Sequence, residues 1–253
     1  MKTLKNLLFI LCMSAAMTVQ AQTQVIAHRG YWDCEGSAQN SITALRKAAG
    51  IQIYGSEFDV HLTADDKLVV NHDDAIQGYE IAETQYKTLK RLHLDNGERI
   101  STLKNYLKEG KKHPHLKLIL EAKSLKSKER EDIMAKKIVS CVKKYNLEKQ
   151  VEYISFSQNL CQQFKEMCPT SEIAYLNGDL SPKEVKDKGW TGIDYHFKVF
   201  KKHPEWIKEA HELGLKVNSW TVNSKEDMQE LTKLKIDYLT TNNPPLAKKV
   251  VQQ

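Results

Sequence analysis

Eight short apolar segments of strand length recur along the chain, most of them followed by a helical pattern, and this spacing leaves few folds open. They cover residues 25–28, 54–60, 117–123, 151–156, 172–176, 192–195, 216–220 and 238–240. Strands alternating with amphipathic helices form parallel sheets, because each crossover must return the chain to the same end of the sheet. Eight such units in about 230 residues are the count and length of a (β/α)₈ (TIM) barrel. Helices are expected through Ala49, over 128–145 and 158–167, from the Ser181-Pro182-Lys183-Glu184 capping box, and over 204–213, 225–234 and 245–251. Asn40 or Ser41 is placed to cap the first of them. The segment 68–71 is set apart as a hairpin return beside the second strand. Residues 75–115 form a longer excursion with two short helical patterns, around Tyr86, Leu89 and Leu92 and around Leu103, Tyr106 and Leu107. Excursions of that length often cover an active site.

The second strand carries the chemistry. In YGSEFDVHL, side chains two apart share a face, so Phe58 and Val60 turn one way and Glu57 and Asp59 the other. Two carboxylates held side by side in an interior repel unless a cation or a shared proton lies between them. A metal is the simpler reading. The apolar return then delivers His72 and Asp73, a titratable base close to the carboxylates. On the third strand Ile119, Glu121 and Lys123 share a face, which makes Glu121 and Lys123 either a simple ion pair or part of the same site. The first strand ends in His28-Arg29-Gly30, a surface pair of basic residues or an anion site. These candidates all fall near the C-terminal ends of their strands, the end of such barrels at which chemistry is built.

The first 21 residues have the layout of a secretory signal: Lys2 and Lys5, an apolar run from Leu7 to about Val19, and small residues at the Val19-Gln20-Ala21 cleavage site. The mature chain is then residues 22–253, one exported domain, periplasmic or secreted, with no stable membrane anchor. Removing Lys2 and Lys5 leaves 36 basic against 32 acidic residues, a net +4, and lysines spread over helix faces read as a solvated surface rather than a nucleic-acid site. Four cysteines remain, at 34, 141, 161 and 168, and their spacing implies no pairing.

AHRG, GSEFDVHLTADDKLVVNHD, LILEAKS, NSWTVN and DYLTTNNP occur in this order across nearly the whole mature chain, which resembles the glycerophosphodiester phosphodiesterase family. The resemblance implies a divalent metal, Ca²⁺ or Mg²⁺, on Glu57, Asp59 and Glu121. It implies phosphate contacts from Arg29 and Lys123, acid and base roles for His28 and His72, and Trp220 on the leaving-group side, where it is equally a rim packing residue. The substrate would be a small glycerophosphodiester. All-oxygen donors with no cysteine nearby suit a hard cation. Two departures stand out: Ala38-Gln39-Asn40 replaces the family's usual Pro-Glu-Asn, and Ala75 to Gly78 lacks the usual basic and threonine residues. His61 shares the carboxylate face and reads as a supporting or surface residue rather than a ligand, and the other histidines as structural. Rival readings are a lysophospholipase D or phosphoinositide-type phosphodiesterase on the same barrel, a glycosidase using Glu57 and Asp59, and a protein that binds phosphodiesters without turnover.

Overall fold

The computed structural model describes residues 22–253, so the predicted signal segment lies outside the described residues. Eight parallel strands close into a barrel: β1 (Gln24–Ala27), β2 (Gly55–Leu62), β3 (Lys117–Ala122), β4 (Val151–Ser155), β5 (Ile173–Tyr175), β6 (Gly192–His196), β7 (Lys216–Trp220) and β8 (Tyr238–Thr241). Each is hydrogen-bonded to the next, and β1 pairs with both β8 and β2, which closes the ring. The expected (β/α)₈ fold is therefore the observed one.

Alternation along each strand separates two apolar layers. Phe58, Val60, Leu118 and Leu120 point outward into the layer between strands and helices, while Ile26, Ile119, Ile154 and Leu176 form a small cluster of their own. Phe58 stacks on Tyr106 at 4.3 Å between ring centroids. Burying such a ring stabilises by roughly 1.5–3 kcal/mol. Because the period of a strand is two, seating Phe58 and Val60 outward fixes Glu57 and Asp59 on the opposite face.

The segment set apart in the sequence forms a strand, Leu68–Val70, antiparallel to β2. Within the excursion, Tyr86–Leu89 and Leu103–Gly110 are helices as the pattern indicates. It also holds elements the pattern did not suggest, a two-residue hairpin (Ala75–Ile76 with Tyr79–Glu80) and a strand, Ser101–Thr102, beside Leu68–Val70. Val69, Ile81, Leu89 and Ile100 give this region its own small core. The Leu103–Gly110 helix lies outside the barrel, and residues 71–73, 75–77 and 93–95, with 38–40, line a polar cleft of about 310 Å³ that includes His72. The excursion thus flanks the barrel mouth.

Ser181 and Glu184 make the capping box read from the sequence, each side chain bonding the other's backbone. A helix not anticipated, Phe197–Lys202, follows β6 directly, capped by the His196 side chain. Among the described residues the four cysteines are unpaired, and no helix is long and apolar enough to cross a membrane.

Candidate active site

Strands β2 and β3 bring the three acidic candidates together. In their parallel register Asp59 lies opposite Glu121, and one carboxylate oxygen from each of Glu57, Asp59 and Glu121 falls within 4.8 Å of the others. Each of the three is held by its own partners. The Arg29 backbone N–H donates to Glu57 Oε2 at 2.7 Å. Asn40 grips Asp59 twice: its Nδ2 donates to Asp59 Oδ2 at 2.8 Å and its Oδ1 accepts from the Asp59 backbone N–H at 3.1 Å. Lys123 Nζ lies 2.8 Å from Glu121 Oε1 and 3.4 Å from Asp59 Oδ1. The ion pair and the shared site are therefore one arrangement, with Lys123 engaged by two of the carboxylates.

The turn after β1 has to bring backbone close to this cluster. Arg29 and Gly30 both take positive φ, 57° and 78°. A Cβ on Gly30 would sit 2.6 Å from Ala44 Cβ, so only glycine lets the first helix pack here. Ser41 caps that helix by accepting from the Ala44 N–H, which leaves Asn40 free to hold Asp59. His28 Nδ1 is 2.7 Å from Asn242 Oδ1. Arg29 Nη1 donates to Gln39 Oε1 at 2.5 Å, while its Nε is buried and has no partner.

His72 arrives on the hairpin return, its Nδ1 2.6 Å from Asp73 Oδ1. His61 is buried rather than on the surface, and its Nε2 lies 3.3 Å from the His72 backbone carbonyl, a contact that steadies the loop bearing His72. Trp220 stands on the far wall, edge-on to Phe156 and to His196 at 5.5 and 5.2 Å, with its Nε1–H donating to the Asp194 carbonyl. A cavity of about 230 Å³ is lined by all of His28, Arg29, Glu57, His72, Glu121, Lys123 and Trp220. Asp59 backs the cavity through the cluster.

A family model of the glycerophosphoryl diester phosphodiesterase family matches residues 28–246, from the first histidine of the cavity to the last helix. The chain belongs to that family. It is thus a phosphoric diester hydrolase of the glycerophosphodiester phosphodiesterase type. A crystal structure of a glycerophosphodiester phosphodiesterase from Parabacteroides distasonis is 49% identical, with a TM-score of 0.90 over 91% of this chain and 97% of that one. A glycerophosphodiester phosphodiesterase from Caldanaerobacter subterraneus is 28% identical over 241 residues, covering 88% of this chain and 95% of the relative. An Oleispira antarctica phosphodiesterase, solved in complex with the product sn-glycerol-3-phosphate, has the same fold at 22% identity and a TM-score of 0.79, over 92% of this chain and 98% of that one.

The electrostatics of this phosphodiesterase fit a cation at the cluster. Burial, then the charges of Asp59 and Glu121, push the Glu57 carboxyl well above the usual carboxylate range. Burial and Asp59 push Glu121 up to about 7. For Asp59 burial acts in the same sense, but Lys123 and the Asn40 hydrogen bond outweigh it and hold the group below its ordinary value. Three carboxylates this close cannot all ionise comfortably with Lys123 as their neighbour, and Glu57 Oε1 is buried with no hydrogen-bond partner. An all-oxygen donor set with an open acceptor suits a hard divalent ion. On His28, burial and the Arg29 charge bring the ring down to about 4, so it is neutral near pH 7.

Four residues at or beside the cavity escaped the sequence reading as site residues. Asn40 was visible as a helix cap and as the matching residue of the Ala38-Gln39-Asn40 triplet, without a site role, and Asn242 only as part of the TTNNP run. His196 was set down as structural, yet it packs edge-on against Trp220. Asp194 carried a readable signal: alternation through Gly192-Ile193-Asp194-Tyr195-His196 sends Ile193 and Tyr195 outward and Asp194 inward, the argument that found Glu57 and Asp59.

Proposed function

We propose that this phosphodiesterase is exported, depends on a divalent metal, and hydrolyses glycerophosphodiesters to glycerol 3-phosphate and an alcohol. The observation that carries the reading is the junction in one cavity of the Glu57, Asp59 and Glu121 cluster with Arg29 and two histidines. The product named for the Oleispira antarctica relative supports the substrate class, and the predicted signal segment supports export.

Glu57, Asp59 and Glu121 would hold Ca²⁺ or Mg²⁺. Bound there, the ion supplies Lewis-acid polarisation of a phosphate oxygen and neutralises developing charge. Arg29, anchored at one Nη by Gln39 and free at Nε, offers charge-assisted hydrogen bonds to a non-bridging oxygen. With Nδ1 turned to the Asn242 oxygen, His28 donates there and keeps an Nε2 lone pair for the cavity. It is the base: it takes the proton of an attacking water as the new O–P bond forms, or that of the glycerol 2-hydroxyl where this attacks first, in which case water then opens the cyclic phosphate to glycerol 3-phosphate. His72, backed by Asp73, is the acid and gives its proton to the alkoxide as the P–O bond to the alcohol breaks. Each role typically contributes ~10²- to 10⁴-fold.

Assay of purified protein on glycerophosphocholine and glycerophosphoethanolamine, with Ca²⁺, with Mg²⁺ and with chelator, tests this reading. Metal-dependent release of glycerol 3-phosphate is expected. Release of phosphocholine instead, turnover of lysophospholipids alone, or binding without turnover would replace it.

A further inference from the structure

Asp194 is the buried acid of this cavity that catalysis leaves unused. It is 2% exposed, lines the cavity from β6, and its Oδ1 has no hydrogen-bond partner. An unpaired buried polar atom of this kind is costly and calls for a partner. The other such atoms of this cavity are spoken for: Glu57 Oε1 and Glu121 Oε1 belong to the carboxylate cluster that would hold the cation, Arg29 Nε to the phosphate. Among the polar neighbours of Asp194, Asn218 lies near enough to favour its charged form in part, yet Oδ1 is left without a bond. Asn218, opposite it in the β6–β7 register, donates from Nδ2 to Thr240 Oγ1 at 2.8 Å and accepts from the Ser219 N–H. The Trp220 N–H is taken by the Asp194 backbone carbonyl.

Around this carboxyl the walls are apolar, with Ile154, Phe156, Leu176 and the Trp220 ring. Such walls suit carbon atoms, and a single polar group among them suits a single hydroxyl. Along β6, Asp194 lies two residues, ~7 Å of strand, below His196 at the rim. An extended glycerol spans about 6 Å from phosphorus to its far hydroxyl, five bonds of ordinary length. The 2-hydroxyl stays close to the phosphate, so the terminal hydroxyl is the one that reaches down.

We propose that Asp194 recognises the terminal hydroxyl of the glycerol moiety and so selects esters whose glycerol end is unacylated. The inference rests on the phosphodiesterase reading of the cavity. Burial pushes the carboxyl up to about 7, with Asn218 offsetting and Glu121 adding to the effect. In either protonation state one oxygen accepts from a hydroxyl, so the contact persists across neutral pH.

The test compares glycerophosphoethanolamine with the diester of propane-1,2-diol, which keeps the 2-hydroxyl and lacks the terminal one. Metal-loaded wild type and the variants Asp194→Ala and Asp194→Asn are each assayed for kcat/KM on both. Wild type is expected to favour glycerol by ~10²-fold or more, because a site built to bind a hydroxyl is left with an unpaired group by the analogue. Asp194→Ala should lose that preference by slowing on the glycerol ester alone, and Asp194→Asn, which keeps a hydrogen-bonding group in place, should restore most of it. Equal turnover of the two esters by wild type overturns the inference and leaves the phosphodiesterase reading standing, without any variant having to fold. An equal loss on both esters in the variants also overturns it, making Asp194 a structural group serving the cavity of about 40 Å³ that it also borders. If wild type cleaves neither ester with metal present, the functional reading falls and this inference with it.

Discussion

Adding Ca²⁺ or Mg²⁺ to chelated protein should raise its melting temperature strongly at pH 8 and weakly at pH 5. The perturbation works through Glu121, whose carboxyl is held near 7 by burial and by Asp59. A group raised in the folded state contributes stability that is present below its ordinary value, near 4.5, and lost as the pH climbs through about 7. The chelated fold therefore bears the repulsion of its carboxylates at pH 8, where the metal has most to relieve. Metal must find its ligands deprotonated. At pH 8 Glu121 is ionised; at pH 5, two pH steps below its midpoint, only about one molecule in a hundred has it so.

With metal at 100 times its dissociation constant at pH 8, binding adds about 2.7 kcal/mol. For a chain of this length each kcal/mol is worth roughly 2–4 °C, which gives a rise of about 5–11 °C. The same metal concentration at pH 5 meets a dissociation constant weakened ~100-fold or more, since Glu57, also raised, must give up its proton too, so at most about 0.4 kcal/mol and a rise of about 1–2 °C remain. Differential scanning fluorimetry of loaded and chelated samples at both pH values measures this, and the subtraction at each pH cancels groups that do not touch the metal. Equal rises at the two pH values, or a full rise in Glu57→Gln, would refute the reasoning.

Four further outcomes are expected. His28→Ala and His72→Ala should each lower kcat by ~10²-fold or more with little change in melting temperature, and the double variant should fall far short of the product of the two losses, as for groups acting in one cycle; near wild-type turnover in either would remove that residue from the mechanism. With His28 brought down to about 4, and metal kept saturating at each pH, the acid limb of kcat/KM that it governs should lie near pH 4, whereas a limb near 6.5 would contradict a buried neutral base. A substrate without the glycerol 2-hydroxyl should bind competitively but not turn over if that hydroxyl attacks phosphorus to give a cyclic phosphate, a route favoured by effective molarities of ~10⁵ M or more; comparable turnover would leave water as the nucleophile. Gln39→Glu should raise KM several-fold by pairing the Arg29 guanidinium with a charge, and an unchanged KM would show that Arg29 is not the phosphate contact.

Period and punctuation made the barrel legible. The second strand shows the reason: Phe58 and Val60 need an apolar layer, so their alternates must face inward, and no tertiary knowledge is required to place Glu57 beside Asp59. Glu121 followed from the same rule one strand later. What the rule could not supply was partnership across loops. Asn40 reads as a cap because caps and Asx turns use the same residue, and only the left-handed φ of 60° at Asn40 turns its side chain onto Asp59 instead. Asn242 lies more than 200 residues from His28, and no local pattern joins them. The Phe197–Lys202 helix was missed because its start is set by a histidine, a weak cap from sequence, and not by Ser, Thr or Asp.

The Gln39 departure becomes intelligible once the charges are placed. Glu57, Asp59 and Glu121 ionised carry −3, and Lys123 with Arg29 returns +2, so the bare site is at −1 and a divalent ion brings it to +1. A phosphodiester carries one negative charge, and the loaded site balances it. A glutamate at position 39 would bring the loaded site to zero and take a second hydrogen bond from the guanidinium. Gln39 instead accepts from one Nη1–H and leaves the charge of Arg29 uncompensated. Lys123 then has a role that needs no contact with substrate: spanning Glu121 and Asp59, it holds the cluster together in the absence of a cation. That is why its ion pair and its membership of the site are one fact, and why removing it should weaken the chelated protein more than the metal-loaded one.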